Sequence, residues 1–310
     1  MPHETPVLRS WARLTKDENE RVKDVPDLYH YTNAMGLHGI ISSHTLWATA
    51  AQFSNDLTEI EYALATAREV SHDMWAGKTG LGEWEQMLRA HVGKFFGSPF
   101  PAFNQPFVVS FCEDDDLLSQ WRAYGHRSGF SLGFRLHDGE SDLIHCESGL
   151  RTLLRRVVYD PLRQKERLRS LLENFIKLVN DFPDTPAFDE EHGNHLHAEL
   201  TLIMILEFTE WSSTVKHSAF SEEREWRLIS FPGLQMGVEN PAGVQIRATS
   251  DLLIPYMVLR AVKGTCLPLV KVRCGPSPLQ RESARAVGML LAKEGYGSVP
   301  IDCSIVPLRV

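Results

Sequence analysis

Leu28-Tyr29-His30-Tyr31-Thr32, followed by Asn33 and then Met35-Gly36-Leu37-His38-Gly39-Ile40-Ile41, decides the fold. Aromatic residues favour a strand over Leu28–Tyr31. Thr32 or Asn33 has the side chain to cap a helix. Leu37, Ile40 and Ile41 then recur at helical spacing. The stretch therefore reads strand, polar corner, helix, with His30 near the strand's end. Such a corner presents a side chain and free helix N–H groups to an anion. The competing interpretation is an ordinary strand with a core histidine.

Composition narrows the classes. The chain has 310 residues, enough for one large domain or two, with 43% hydrophobic and 23% charged residues. A net charge of −8 argues against bulk binding to a nucleic-acid backbone, though not against a local basic groove, and it does not suit anionic membranes. Cys112, Cys146, Cys266, Cys274 and Cys303 are scattered and form no C-x-x-C pair. They read as reduced thiols. Met1–Val22 is polar and lacks the apolar core of a signal peptide. The longest apolar run, Leu200–Leu206, is bracketed by Glu199 and Glu207 and is too short to span a bilayer. A soluble cytoplasmic protein is the expectation.

Along the chain, residues 1–27 form a lead-in. Strands are expected at Thr45–Ala50, Pro106–Phe111, Gly129–Phe134, Arg155–Asp160, Arg224–Ser230, Gln245–Ala248, Ile254–Val262, Leu267–Arg273 and Ser298–Ile305. Helices are expected from Thr58 to about Val70 and over Glu83–Phe96, Leu117–Gly125, Leu162–Asn180, Ala198–Val215 and Gln280–Glu294. No repeat or clear linker interrupts the series. The expectation is one α+β domain over 28–310, with helical insertions near 58–97 and 162–215.

Several marks recur in order: Tyr29-His30-Tyr31-Thr32, Phe53-Ser54-Asn55-Asp56-Leu57-Thr58-Glu59, Ser110-Phe111, Trp121-Arg122-Ala123-Tyr124, Glu223-Arg224-Glu225-Trp226-Arg227, Gly275-Pro276 and Ser304-Ile305-Val306-Pro307-Leu308-Arg309. The chain from about Leu28 to Arg309 resembles a bacterial family known only as a domain of unknown function. It departs at Ser54, where that family usually has the aromatic directly before Asn. The opening, from the Y-H-x-T strand through the helix to Leu46-Trp47-Ala48-Thr49, is remotely similar to the ADP-ribosyltransferase superfamily.

That similarity implies a mixed, mainly antiparallel β core of ADP-ribosyltransferase type, NAD as substrate and no metal. It gives His30 the task of holding a ribose hydroxyl, with Tyr31, Thr32 and the following amides near the nucleotide. Trp47 and Tyr62 become aromatic platforms for nicotinamide. E-x-E resembles a catalytic strand, with Glu225 as the catalytic carboxylate, Glu223 as its helper and Arg227 toward a diphosphate. On a strand these three share one face. Each has a plain alternative: core filling for the aromatics, and mutual Glu–Arg pairing for the E-x-E-W-R strand.

Asn55 and Asp56 either touch substrate or cap a helix that Glu59 completes. Trp121 and Tyr124 either pack inward or, with Arg127, face a nucleobase. His192, His195 and His197 read as a solvated helix start rather than a metal site.

The implied activity is transfer of ADP-ribose to a protein or nucleic acid, in a bacterial toxin or phage-defence effector. An NAD glycohydrolase, or an inactive nucleotide- or nucleic-acid-binding sensor, is the alternative. A carboxylate-based metal hydrolase lacks a third acidic motif. One geometric condition separates enzyme from sensor: His30 and Glu225 must point into the same cleft.

Overall fold

A short helix, α1 (Pro6–Leu14), precedes the opening motif, which forms strand β1 (Leu28–Thr32). Asn33 is extended (φ −92°), and its side chain accepts from the Gly36 N–H at 2.9 Å. This N-cap starts α2 (Ala34–Ser43). His44 takes the left-handed conformation (φ 55°) that ends the helix and turns the chain into β2 (Thr45–Ala50). The expected strand–corner–helix–strand opening is present.

The computed structural model describes residues 6–14, 25–53, 58–78, 86, 106–125, 128–136, 144–146, 152–182, 195–230, 243–249, 251–261 and 266–307. The helix expected over Glu83–Phe96 lies outside them, apart from Gln86. The chain divides into two units. Unit 1 is Met1–Arg21, Asn55–Gln105 and Val158–Ser218, and unit 2 is Val22–Ser54, Pro106–Val157 and Ala219–Val310. The expected helical insertions therefore fall in unit 1 with the N-terminal lead-in.

Among the described residues unit 1 is helical: α1, α3 (Thr58–Trp75), then α5 (Pro161–Asn180) and α6 (His195–Ser212), after α4 of unit 2 (Leu118–Tyr124). Asp160 caps α5 by accepting from the Leu162 N–H, and Pro161 needs no partner in the first turn. Asp160 was expected at the end of a strand; its short carboxylate is better used on free helix donors. Trp11, Ala67, Val70, Leu168, Phe175 and Trp211 belong to this unit's core.

Gln164 ties the unit together. It is fully buried, donates to the carbonyls of Val158 (2.6 Å) and Lys216 (2.8 Å), and accepts from Tyr62 Oη at 2.7 Å. A buried carboxamide with every atom engaged stabilises one packing over others. Beside it, Lys216 pairs with Glu59 at 2.9 Å, both largely buried. The capping box expected of Glu59 involves Asn55 and Asp56, which lie outside the described residues.

Unit 2 holds the sheet. Its further strands are β3 (Phe107–Cys112), β4 (Phe130–Phe134), β5 (Ile144–Cys146), β6 (Thr152–Arg156), β7 (Glu225–Ser230), β8 (Val244–Ala248), β9 (Leu253–Ala261), β10 (Leu269–Cys274) and β11 (Ile301–Cys303). Helix α7 (Gln280–Lys293) precedes β11. The order is β11-β10-β4-β1-β3-β2-β9-β5, with β7 pairing β3 and β6, and β8 pairing β9. Every described pair is antiparallel except β10 with β11. The protein is thus a mixed α+β structure with a mostly antiparallel sheet.

The pairing along one edge of β3 is discontinuous. β7 pairs with β3 along its full length, Phe107 to Cys112. The opposite edge of β3 is divided: β2 pairs with Phe107 and Val108, and β1 with Cys112. Ser110 lies between the two and is exposed.

One face of the sheet is the core. Leu28, Leu132, Phe111, Leu46, Trp226 and Met257 lie in one buried cluster with Leu37 and Ile41 of α2 and Val287 and Leu291 of α7. Burying each such side chain stabilises by roughly 1.5–3 kcal/mol. The other face carries Trp47, Glu225 and Arg227. Among the described residues no helix is long and apolar enough to cross a membrane.

Candidate functional site

His30 Nδ1 lies 3.0 Å from the Ser110 carbonyl oxygen. A carbonyl only accepts, so Nδ1 is the donor. The bond fills the discontinuity in the ladder, where the middle of β3 meets neither β1 nor β2. The imidazole also stands edge-on to Phe111, with ring centres 6.0 Å apart. Burial pushes the His30 pKa below its ordinary value, against the Ser110 hydrogen bond, which raises it. His30 is therefore a neutral imidazole with its proton on Nδ1. Nε2 is left as an acceptor, and it has no protein partner among the described residues.

The E-x-E-W-R segment differs from its expected geometry at one end. Arg224 has φ 42°, and Glu223 ends a 3₁₀ turn (Ser218–Glu223). The strand begins at Glu225. The alternation that was to place Glu223 beside Glu225 is broken by the left-handed residue between them. Arg224 instead reaches Asp114, 3.0 Å away.

Glu225 and Arg227 do share a face. Arg227 Nε donates to Glu225 Oε1 at 2.7 Å and Nη2 to Oε2 at 3.0 Å. Both are buried, at 5% and 7% exposure. This two-pronged, charge-assisted contact occupies both carboxylate oxygens.

Register separates His30 from Glu225. Tyr29 is opposite Cys112, and Cys112 is opposite Glu225, so these three share a face. His30 lies opposite Leu132, on the core face with Leu28 and Phe134. Directly opposed residues share a face and neighbours along a strand alternate. His30 and Glu225 thus flank β3 from its two edges and project to opposite sides of the sheet.

Trp47 falls on the same side as Glu225. Thr49 is opposite Val108, and Trp47 is two residues before it. Its indole is 45% exposed and stacks on Tyr256 with ring centres 4.4 Å apart. Trp47 lies on the expected strand but on the side of the sheet away from His30, beside Tyr256.

The other candidates divide. Tyr31 is buried, donates to the Asp114 carbonyl at 2.8 Å and accepts from the Leu117 N–H at 2.9 Å, so its hydroxyl is committed. Burial pushes its phenol well above the ordinary value. Thr32 lies against α2: a Cβ added to Gly36 would meet Thr32 Oγ1 at 2.0 Å. Tyr62 belongs to unit 1 and is bonded to Gln164. Trp121 is buried, donating to Asp116 Oδ1 at 2.8 Å, while Tyr124 is partly exposed. Asn55, Asp56, Arg127 and His192 lie outside the described residues, as do the side chains of His195 and His197.

Asp116 is a junction that its local sequence does not mark. It accepts from Trp121 Nε1, from Ser304 Oγ at 2.5 Å and from the Ile305 N–H at 3.0 Å. Next to it, Asp115 pairs with Lys271 (2.7 Å) and Arg273 (2.8 Å). Those cations hold its carboxyl below the ordinary range against the opposing effect of burial, which is the largest single influence. The W-x-x-Y helix and the S-x-x-P tail thus meet at one carboxylate.

Residues 120–228 match a family described as "Protein of unknown function (DUF2971)". That range contains both the W-x-x-Y and E-x-E-W-R stretches. No curated protein and no solved structure matches the chain.

Proposed function

We propose that unit 2 binds a nucleotide of the NAD class and that its first role is binding rather than transfer. The observation that carries this is His30. A neutral imidazole with Nδ1 tied to a backbone carbonyl presents Nε2 as a fixed acceptor, which suits a ribose hydroxyl. The resemblance of the opening motif to ADP-ribosyltransferases makes NAD the ligand to try first.

Transfer of ADP-ribose, to a protein, a nucleic acid or water, is the second reading. Trp47 and Glu225 lie on the same face, which favours it. Against it stand the closed Glu225–Arg227 pair and the opposite placement of His30. For Glu225 to stabilise positive charge at a ribose carbon, Arg227 must release it. Under this reading a toxin or phage-defence role follows from the resemblance.

The test is NAD binding by calorimetry alongside nicotinamide release, in the wild type, His30→Ala and Glu225→Gln. Binding lost in His30→Ala and kept in Glu225→Gln, with no release from any protein, supports the binding module. Release abolished by Glu225→Gln replaces it with the transfer reading. Absence of NAD binding by the wild type refutes both for this ligand.

A further inference from the structure

The face that carries Trp47 has an organisation that neither His30 nor Glu225 explains. β2, β9 and β8 are adjacent, and their registers place Trp47, Thr49, Tyr256, Gln245 and Arg247 on the same side. The Arg247 guanidinium carbon lies 5.8 Å from the centre of the Trp47 ring. Arg247 Nη2 donates to Thr49 Oγ1 at 3.1 Å, while its Nε is buried without a partner. Tyr256 Oη donates to Gln245 Oε1 at 2.8 Å. That bond fixes the carboxamide and turns its NH₂ donors away from Tyr256.

Charge singles out the patch. Of the residues these three strands turn to this side, Arg247 and Arg260 are cationic and none is acidic. The chain as a whole carries −8. A local cationic face on an acidic protein selects an anion. An indole 45% exposed is costly to leave in water, and its stacking on Tyr256 holds it in one orientation.

We infer that Trp47, Gln245 and Arg247 form a subsite for a nucleobase carrying a phosphate. The base stacks on Trp47. The Gln245 amide donates to an acceptor on the base edge. Arg247, already oriented by Thr49, pairs with the phosphate. The phosphate-bearing base comes either from a free mononucleotide or from a single strand of nucleic acid. The subsite stands on this patch alone and does not depend on His30.

The experiment titrates the full-length protein with AMP, adenosine and an adenine octanucleotide, following tryptophan fluorescence and calorimetry. The variants are Trp47→Ala, Trp47→Phe, Arg247→Gln and His30→Ala, each checked for an unchanged thermal melt. Trp47→Ala is expected to weaken AMP about tenfold or more, with Trp47→Phe partly restoring it. Arg247→Gln is expected to weaken AMP but leave adenosine within about twofold. Octanucleotide binding tighter than AMP assigns the site to a strand, and equal binding assigns it to a free nucleotide. AMP binding unchanged in both Trp47→Ala and Arg247→Gln overturns the subsite, as does binding by neither AMP nor the octanucleotide. Should AMP binding vanish only in His30→Ala, the subsite is refuted and the His30 assignment survives.

Discussion

Replacing Arg227 by leucine removes the guanidinium that engages both oxygens of Glu225, at 2.7 and 3.0 Å. The carboxylate is then left at 5% exposure without its guanidinium. Breaking one side of a buried pair costs roughly 3–5 kcal/mol, because a charge remains out of water. For a domain of 150–250 residues about 1 kcal/mol shifts Tm by roughly 2–4 °C. Arg227→Leu should therefore lower Tm by about 6–20 °C. The double variant Glu225→Leu/Arg227→Met removes both charges and keeps the volume. It should lie within about 1–2 kcal/mol of the wild type. The assay is urea and thermal unfolding of the wild type, Glu225→Leu, Arg227→Met and the double variant, which close the cycle, with Arg227→Leu measured beside them. A coupling energy near zero, or a double variant as unstable as Arg227→Leu, would refute the view that the pair closes Glu225 for structural reasons. It would return weight to Glu225 as a group kept for chemistry.

Three further outcomes follow from named contacts. The folded-state pKa of His30 is below its ordinary 6.5, so the unfolded chain binds the extra proton. Its contribution to stability is then fully present above pH 6.5 and is lost as pH falls below it; Tm between pH 5 and 7.5 should decline less steeply in His30→Asn than in the wild type. Gly275→Ala places a Cβ 2.9 Å from both the Gly129 carbonyl oxygen and Trp121, with backbone on one side, and should cost about 1–3 kcal/mol in urea unfolding. Asp116→Ala leaves the Trp121 Nε1–H, the Ser304 hydroxyl and the Ile305 N–H without their acceptor, at roughly 1–3 kcal/mol for each donor that stays buried. Limited proteolysis should then cut near Ser304 before the rest of unit 2, and uniform resistance would count against the junction.

Local pattern made much of this architecture legible. Runs of strand-forming residues located β1, β2, β3 and β7, alternation located β4, and the polar pair Thr32-Asn33 located the start of α2. Failures came where one residue acts against the pattern or where partners are distant. Arg224, with φ 42°, ends the alternation that would have joined Glu223 to Glu225. Asp160 left a strand to cap α5, and the strand lies earlier, at Thr152–Arg156. Trp47 was marked from its own strand, but Gln245, Arg247 and Tyr256 come from nearly two hundred or more residues away and only register joins them to it. Ser110 was noticed as half of an S-F pair, with nothing to say that its carbonyl would face His30.

That last contact shows how backbone accounting reaches function. A buried or bounded carbonyl needs a donor. Where β1 and β2 separate along β3, the ladder supplies none at Ser110, and the His30 side chain does. Leucine or phenylalanine in place of His30 would fill the space and leave the oxygen unpaired. Lysine would bring a charge that burial opposes. A neutral histidine satisfies the carbonyl with one nitrogen and keeps the other as an acceptor. The same constraint that makes His30 structural therefore fixes its tautomer, and a fixed tautomer is what selective recognition of a hydroxyl requires. The structural and ligand-binding interpretations of His30 are not rivals: the Ser110 bond is the condition under which Nε2 can act.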